Sequence, residues 1–308
     1  MSNTGKQLES LVEQIEKLLL PDNFTIKTNE KILNDEGVQI AEFDIEIEGR
    51  LGSTYIKWLI ECRDRPSSGS APGSWIEQLV GRRDRFGFNK VTAVSTTGFA
   101  DGAVDYAREA RIELRTVKEI TFEEISDWFS ITYITLFRQY GDLRNAILII
   151  DPGETEKREK AFDDTVKASN ADTPFLLSRS TGRAVSAVKA FLAVTNQHSE
   201  LFNGIRPDGA SRNVRLKVDY PNDNNHFFIA TEEGDIRITK IIFDASLYIK
   251  SEIIPIEKII RYSSDEEDKE IASIVGFKFN IEEQELGLEF HKLADTGETH
   301  MLLRKLEK

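Results

Sequence analysis

Cysteine is nearly absent: Cys62 is the only one in 308 residues. One thiol can close no intramolecular disulfide and build no cysteine metal cage, which fits a reducing compartment. Long apolar runs are missing too. Ala146-Ile147-Leu148-Ile149-Ile150 is typical of the longest, whereas a membrane-spanning helix needs about 20 residues. The opening segment is polar and amphipathic, unlike a signal peptide. The expectation is a soluble, cytoplasmic protein with no membrane partner. Histidine is scarce, and His198, His226, His291 and His300 show no metal-ligand spacing. Each reads as structural or exposed. Basic charge is short: 40 Lys and Arg face 53 Asp and Glu, a net of −13, which argues against a surface coated in basic patches for nucleic acid. No Walker-type phosphate loop, dinucleotide-binding glycine fingerprint or nucleophile elbow is present. Gly69 to Ser74 carries glycine and proline but lacks the Lys-Ser/Thr pair of a phosphate loop, and reads as a flexible loop over a substrate groove.

The patterning of what remains is informative. Leu8, Leu11, Val12, Ile15, Leu18 and Leu19 repeat at helical spacing. Thr4 and Gln7 read as a capping box and Pro21 as the stop. Glu9 and Glu16 border the apolar stripe. Phe43, Ile45 and Ile47 alternate with Glu42, Asp44, Glu46 and Glu48, giving a strand with one apolar and one acidic face. Gly49 to Thr54 is a turn, and Tyr55 to Cys62 is apolar on both faces, as a central strand is. Ser74 with Glu77 suggests another capping box. Lys90–Thr96, a helix over 99–110 and a short strand over 112–114 follow. A strand–helix–strand unit of that size predicts parallel strands. The order α-β-β-α-β-α-β describes a small mixed α/β domain over 1–120.

Beyond it, Gly141-Asp142 between Phe129–Phe137 and Leu143–Ile150 signals a hairpin. Pro152 to Ala171 is a charged linker or marginal helix, and Gly182 to Leu201 reads as a helix. Strand-like runs follow over 214–220, 227–231, 236–250, 253–262, 274–279, 286–291 and 300–303, with an acidic loop over 265–270. Residues 121–308 therefore read as an α+β, β-rich, mainly antiparallel domain of unknown role.

Phosphodiester hydrolysis needs two carboxylates at one point for a divalent metal, plus a cation near the phosphate. Mg²⁺ prefers carboxylate oxygens and keeps several waters. Glu61 and Arg63 are two apart on one strand, so they share a face and lie about 6.6 Å apart along it. A hairpin pairing brings Asp44 near Glu61, the Cys62 carbonyl is a further candidate oxygen ligand, and Glu9 could complete the cluster. The competing reading of Glu61 and Arg63 is a surface ion pair of little consequence. Likewise the basic strip of Arg63, Arg65, Arg82, Arg83, Arg85 and Lys90 fits phosphate binding and a solvated helix face equally well.

Three stretches carry a resemblance: Gly5-Lys6-Gln7-Leu8-Glu9, Glu42-Phe43-Asp44 and Ile60-Glu61-Cys62-Arg63-Asp64. With Ile76 to Gly81, Val94 to Phe99 and Ala103 to Ala107, they are similar in order and spacing to the Mrr-type restriction endonuclease family. The likeness covers about 110 residues and none of 121–308. It implies a PD-(D/E)xK core, Mg²⁺ (or Mn²⁺) dependence and DNA as substrate. It also implies Asp44 and Glu61 as metal ligands, Glu9 in support, and Gln78 near the site. One position departs from the family, which usually has Lys where this chain has Arg63. Lysine can lose its proton when buried, whereas arginine stays charged and offers a planar fork to phosphate.

The leading expectation is a metal-dependent DNA endonuclease of restriction or defence type. A homodimer is a candidate assembly, because cutting two strands takes two sites. The alternatives are a catalytically weak or inactive DNA-binding protein on a nuclease fold, and a nuclease regulated by a C-terminal domain that binds a protein or small ligand.

Overall fold

A computed structural model describes residues 4–221, 224–265 and 269–306. The first elements are α1 (Thr4–Leu19), β1 (Thr25–Leu33), β2 (Gln39–Leu51), β3 (Thr54–Arg63), α2 (Gly73–Phe86), β4 (Lys90–Ser95), α3 (Asp101–Ala110) and β5 (Glu113–Glu119). Then come β6 (Tyr133–Ile150), α4 (Glu156–Ala168), β7 (Leu176–Ser178), β8 (Ala184–Val185), α5 (Ala187–Gln197), β9 (Arg212–Asp219) and β10 (Phe227–Thr231). Finally β11 (Gly234–Ser264), β12 (Glu270–Ile281), β13 (Gln284–Leu293) and β14 (Thr299–Lys305) complete the chain. No helix among the described residues is long and apolar enough to cross a membrane.

The chain forms two compact units, Met1–Ile134 with Ile254–Lys308, and Thr135–Ile253. The first contains the sheet order β1-β2-β3-β4-β5-β11-β12-β13-β14. β3–β4 and β4–β5 are parallel, as the strand–helix–strand pattern predicts, and the other pairs are antiparallel. α1 lays its buried stripe of Leu8, Leu11, Val12 and Ile15 on one face, against Ile45, Ile60 and Tyr262. Each such buried Leu or Ile contributes about 1.5–3 kcal/mol. α2 and α3 cover the opposite face through Ile76, Leu79 and Ala103, packed on Leu59, Val91 and Ala93.

Several expectations from the sequence are corrected. The division at residue 120 does not follow the compact units, because residues 254–308 join the first one. The cause is an edge: β5 pairs with β11 over Ile260–Ser264, and a fully buried Tyr262 enters the α1 core. Strand β1 was not anticipated. Its outward positions include Lys27, Asn29 and Lys31 and its inward ones are only half-buried, which suits a sheet edge but leaves a weak apolar signal. α2 starts at Gly73 behind Pro72 with no side-chain cap, so Ser74 and Glu77 form no capping box there. The side chain of Thr4 lies outside the described residues, as does part of the expected acidic loop, 266–268.

In the second unit, β6, β9 and β10 pair with β11, β10 also pairs β7, and β7 pairs β8. α4 and α5 pack Phe162, Ala190 and Phe191 on its core beside Phe243 and Leu247. The charged 152–171 stretch holds α4. Gly141-Asp142 makes no hairpin, since β6 runs straight through it. A Cβ on Gly141 would come within 2.8 Å of the Phe191 ring and 3.2 Å of Leu247. That glycine serves close packing, not a turn.

Candidate active site

The β2–β3 ladder ends at the Ile45–Ile60 pair. In continued register the next pair is Asp44 with Glu61, and there the strands part. Asp44 replaces the missing backbone bond with its side chain: Oδ2 accepts the Cys62 N–H at 2.8 Å. On the other side of β2, Asn29 adopts φ 54° and drops out of the β1–β2 pairing. The strand rotates across this point. Phe43 packs toward α2 and α3, whereas Ile45 and Ile47 pack toward α1. The opening thus places Asp44 where side chains from both faces of the sheet can approach it.

Glu61 comes from the α2 face and Glu9 from α1. Glu61 is buried, and its Oε1 pairs with Arg82 Nη1. The same Nη1 donates to the Glu42 carbonyl at 3.1 Å. Burial, then the nearby Asp44, push the Glu61 carboxyl up to about 8; Arg82 opposes this and Glu9 adds to it. Burial and Asp44 likewise raise Glu9 to about 7, with Lys6 offsetting part of the effect. Asp44 is itself raised by burial, against the pull of the Cys62 N–H and Arg82. Three carboxyls are therefore electrostatically coupled with few cations to satisfy them, and Glu9 Oε2 is buried without a hydrogen-bond partner among the described residues.

Residues 1–122 match the restriction endonuclease family model Mrr_cat. No curated protein matches the chain. A crystal structure of a protein of unknown function, AF1548, is 22% identical over 36% of this chain and 57% of its own, with a TM-score of 0.29. The present chain thus spans little more than half of that protein's length.

Within the Mrr_cat region, Arg63 stands half-buried on the Glu61 face. Its Nε has no hydrogen-bond partner and it makes no ion pair among the described residues. Gln78 is exposed on α2, makes no hydrogen bond among them, and lies one turn before Arg82. Cys62 points to the α1 side, and burial pushes its thiol well up, so its sulfur stays neutral. Lys57, on the Glu61 face, is committed to Glu46 at 3.0 Å. The loop expected to be flexible is tied down. Ala71 N donates to Gly98 O at 2.9 Å, Ala100 N donates to Ala71 O at 3.0 Å, and Ala71 is fully buried.

Much of the basic strip is also spoken for: Lys90 pairs with Glu113 and lies over Trp58, and Arg83 binds the Ala110 carbonyl. Arg82 is the site residue that the sequence reading did not single out. Its signal is its spacing, four residues after Gln78 and so on the same helix face. Glu16, the other acid bordering the α1 stripe, is not in this cluster. It is buried with Arg115 and the Tyr262 hydroxyl, 3.1 Å away.

The donor set suits a hard divalent cation, being carboxylate oxygens with one orphaned acceptor in Glu9. Yet among the described residues no three His, Cys, Asp or Glu side chains are gathered tightly enough to hold a metal. One oxygen of Asp44 is taken by Cys62 N–H and one of Glu61 by Arg82.

Proposed function

We propose that this protein is a metal-dependent endodeoxyribonuclease of restriction or defence type, acting in the cytoplasm. The observation that carries the reading is the parting of β2 and β3 at Asp44, which leaves Asp44, Glu61 and Glu9 as coupled, under-compensated carboxyls. Asp44 and Glu61 would hold Mg²⁺ or Mn²⁺, with the Cys62 carbonyl as a further oxygen. Such a metal polarises the phosphodiester and lowers the pKa of a bound water. Glu9 orders the water side of the cluster. Arg63, in no ion pair among the described residues, grips a phosphate oxygen and stabilises the charge that develops there. It stays protonated and so takes no proton from water. Gln78, exposed one turn before Arg82 on the same face of α2, would contact the DNA beside the acids.

Two copies acting together would cut both strands. The unit of residues 135–253 would read a target, a protein partner or a small ligand and regulate cleavage. Its 16 Lys and Arg nearly balance 17 Asp and Glu, whereas the rest of the chain holds 24 against 36.

The test is nicking of supercoiled plasmid at low salt in Mg²⁺, Mn²⁺ and EDTA, beside Asp44→Ala and Glu61→Ala. Metal-dependent nicking lost in both variants is expected. Normal cutting by Asp44→Ala would overturn the assignment. Arg63 favours one second reading, a DNA-binding protein on a nuclease fold. It predicts binding at low salt without turnover in either metal, with cleavage gained in Arg63→Lys.

A further inference from the structure

The geometry points to Arg82 as a gate on the metal site: a resident counter-ion on Glu61 that a divalent cation must displace and that DNA phosphate draws away. This rests on reading Asp44 and Glu61 as cation ligands.

Three observations carry it. Glu61 is almost enclosed, its side chain 8% exposed, while that of Arg82 is 36% exposed. The carboxylate is fixed and the guanidinium has a way out. Second, Arg82 holds two acceptors at the parting strands, Glu61 Oε1 and the Glu42 carbonyl on β2. It therefore occupies the side of Glu61 that looks toward Asp44's strand. Third, Arg63, on the same strand face as Glu61, makes no ion pair among the described residues. Among the described residues Arg82 is the one basic side chain in an ion pair with Glu61. An arginine is charged at any working pH, so a metal and this guanidinium cannot both sit against one oxygen of Glu61. A phosphate offers the guanidinium a matching two-pronged partner. DNA binding and metal loading are then linked, each tightening the other.

The experiment is Mn²⁺ binding to the full chain, followed by electron paramagnetic resonance of the free ion. It compares wild type, Arg82→Gln, Arg82→Ala and Asp44→Ala, with and without a short DNA duplex. The duplex supplies phosphates whether cut or intact, and melting curves confirm that each variant is folded. Without DNA, Arg82→Gln and Arg82→Ala should bind Mn²⁺ about tenfold more tightly than wild type, a difference of about 1.4 kcal/mol. DNA should tighten binding to wild type and leave the two Arg82 variants little changed. Equal or weaker Mn²⁺ binding by folded Arg82 variants, with Asp44→Ala still losing the ion, overturns the gate and spares the site. Unchanged binding by Asp44→Ala overturns both.

Discussion

Glu61 and Glu289 are both buried glutamates of the first unit, and their surroundings treat them in opposite ways. Glu61 lies beside Asp44 and Glu9 with one arginine for company, and its carboxyl is pushed up to about 8 by burial and the neighbouring acid. Glu289, on β13, is 2.9 Å from Lys258 Nζ and 2.8 Å from Arg304 Nη2, with His291 Nε2 at 3.1 Å. Burial acts on it too, but the His291 contact and the two cations win and hold it well below the usual carboxylate range. Arg304 also donates to Ser10 on α1 at 3.0 Å, so this cluster fastens β14 to the first helix. Where cations outnumber acids, the ions hold the fold together. Where acids outnumber cations, as in the proposed metal site, the excess would receive a bound cation.

The largest effect that tests this contrast is on chemistry. Asp44→Ala should cut plasmid nicking at least about a thousandfold, equivalent to about 4 kcal/mol of transition-state stabilisation. Its melting temperature should fall only modestly, because losing the bond from the Cys62 N–H costs about 1–3 kcal/mol while removing a buried carboxyl relieves Glu61 and Glu9. A large loss of stability instead would make the Asp44 cluster structural and erase the contrast.

Glu289→Ala should do the reverse. It leaves Lys258 and Arg304 without their shared partner, and breaking a buried pair typically costs about 3–5 kcal/mol, to be read from urea unfolding. Wild-type stability would count against the fastening role.

The same residue sets an acid response. Its folded pKa is depressed, so its contribution is present above the unfolded value of about 4.5 and is lost as pH falls below it. Wild type should lose stability through that window, and Glu289→Gln, starting lower, should lose less. Parallel acid profiles of the two proteins would reject the assignment.

A smaller change is expected from Arg63→Lys, which restores a residue able to shed its proton. Nicking should rise about tenfold, within the range of general base catalysis. A fall would show that Arg63 matters as a phosphate ligand and that no base is needed. Least of all should come from Lys27→Ala. The exposed pair of Lys27 with Glu48, at 3.4 Å, should be worth less than about 1 kcal/mol in the same unfolding assay.

The legible parts of this protein are those in which a period or a motif is local. The 3.6-residue stripe of α1, the apolar run of β3 and the parallel β3–β4–β5 unit all follow from neighbours along the chain, and all are present. Asp44 opposite Glu61 could be foreseen because a hairpin's register follows from its turn. Other features could not be read. β1 is an edge strand whose inward face is only half-buried, so its alternation is faint. Gly141-Asp142 looked like a turn because a glycine required by the Phe191 ring is indistinguishable, in one sequence, from a glycine required by a bend.

The sequence by itself determined the chemistry on offer: oxygen ligands but no thiolate cage, an arginine at position 63, and an acidic excess concentrated outside residues 135–253. Tertiary structure alone decided which acids meet. It brought Glu9 of α1 and Arg82 of α2 to a strand pair that parts at Asp44. It also returned residues 254–308 to the β5 edge, 141 positions along the chain from β5 itself at Glu119–Ile260. The reason is physical: these contacts are set by the packing of sheet faces and the pairing of open edges, which depend on what else is nearby in space rather than on spacing along the chain.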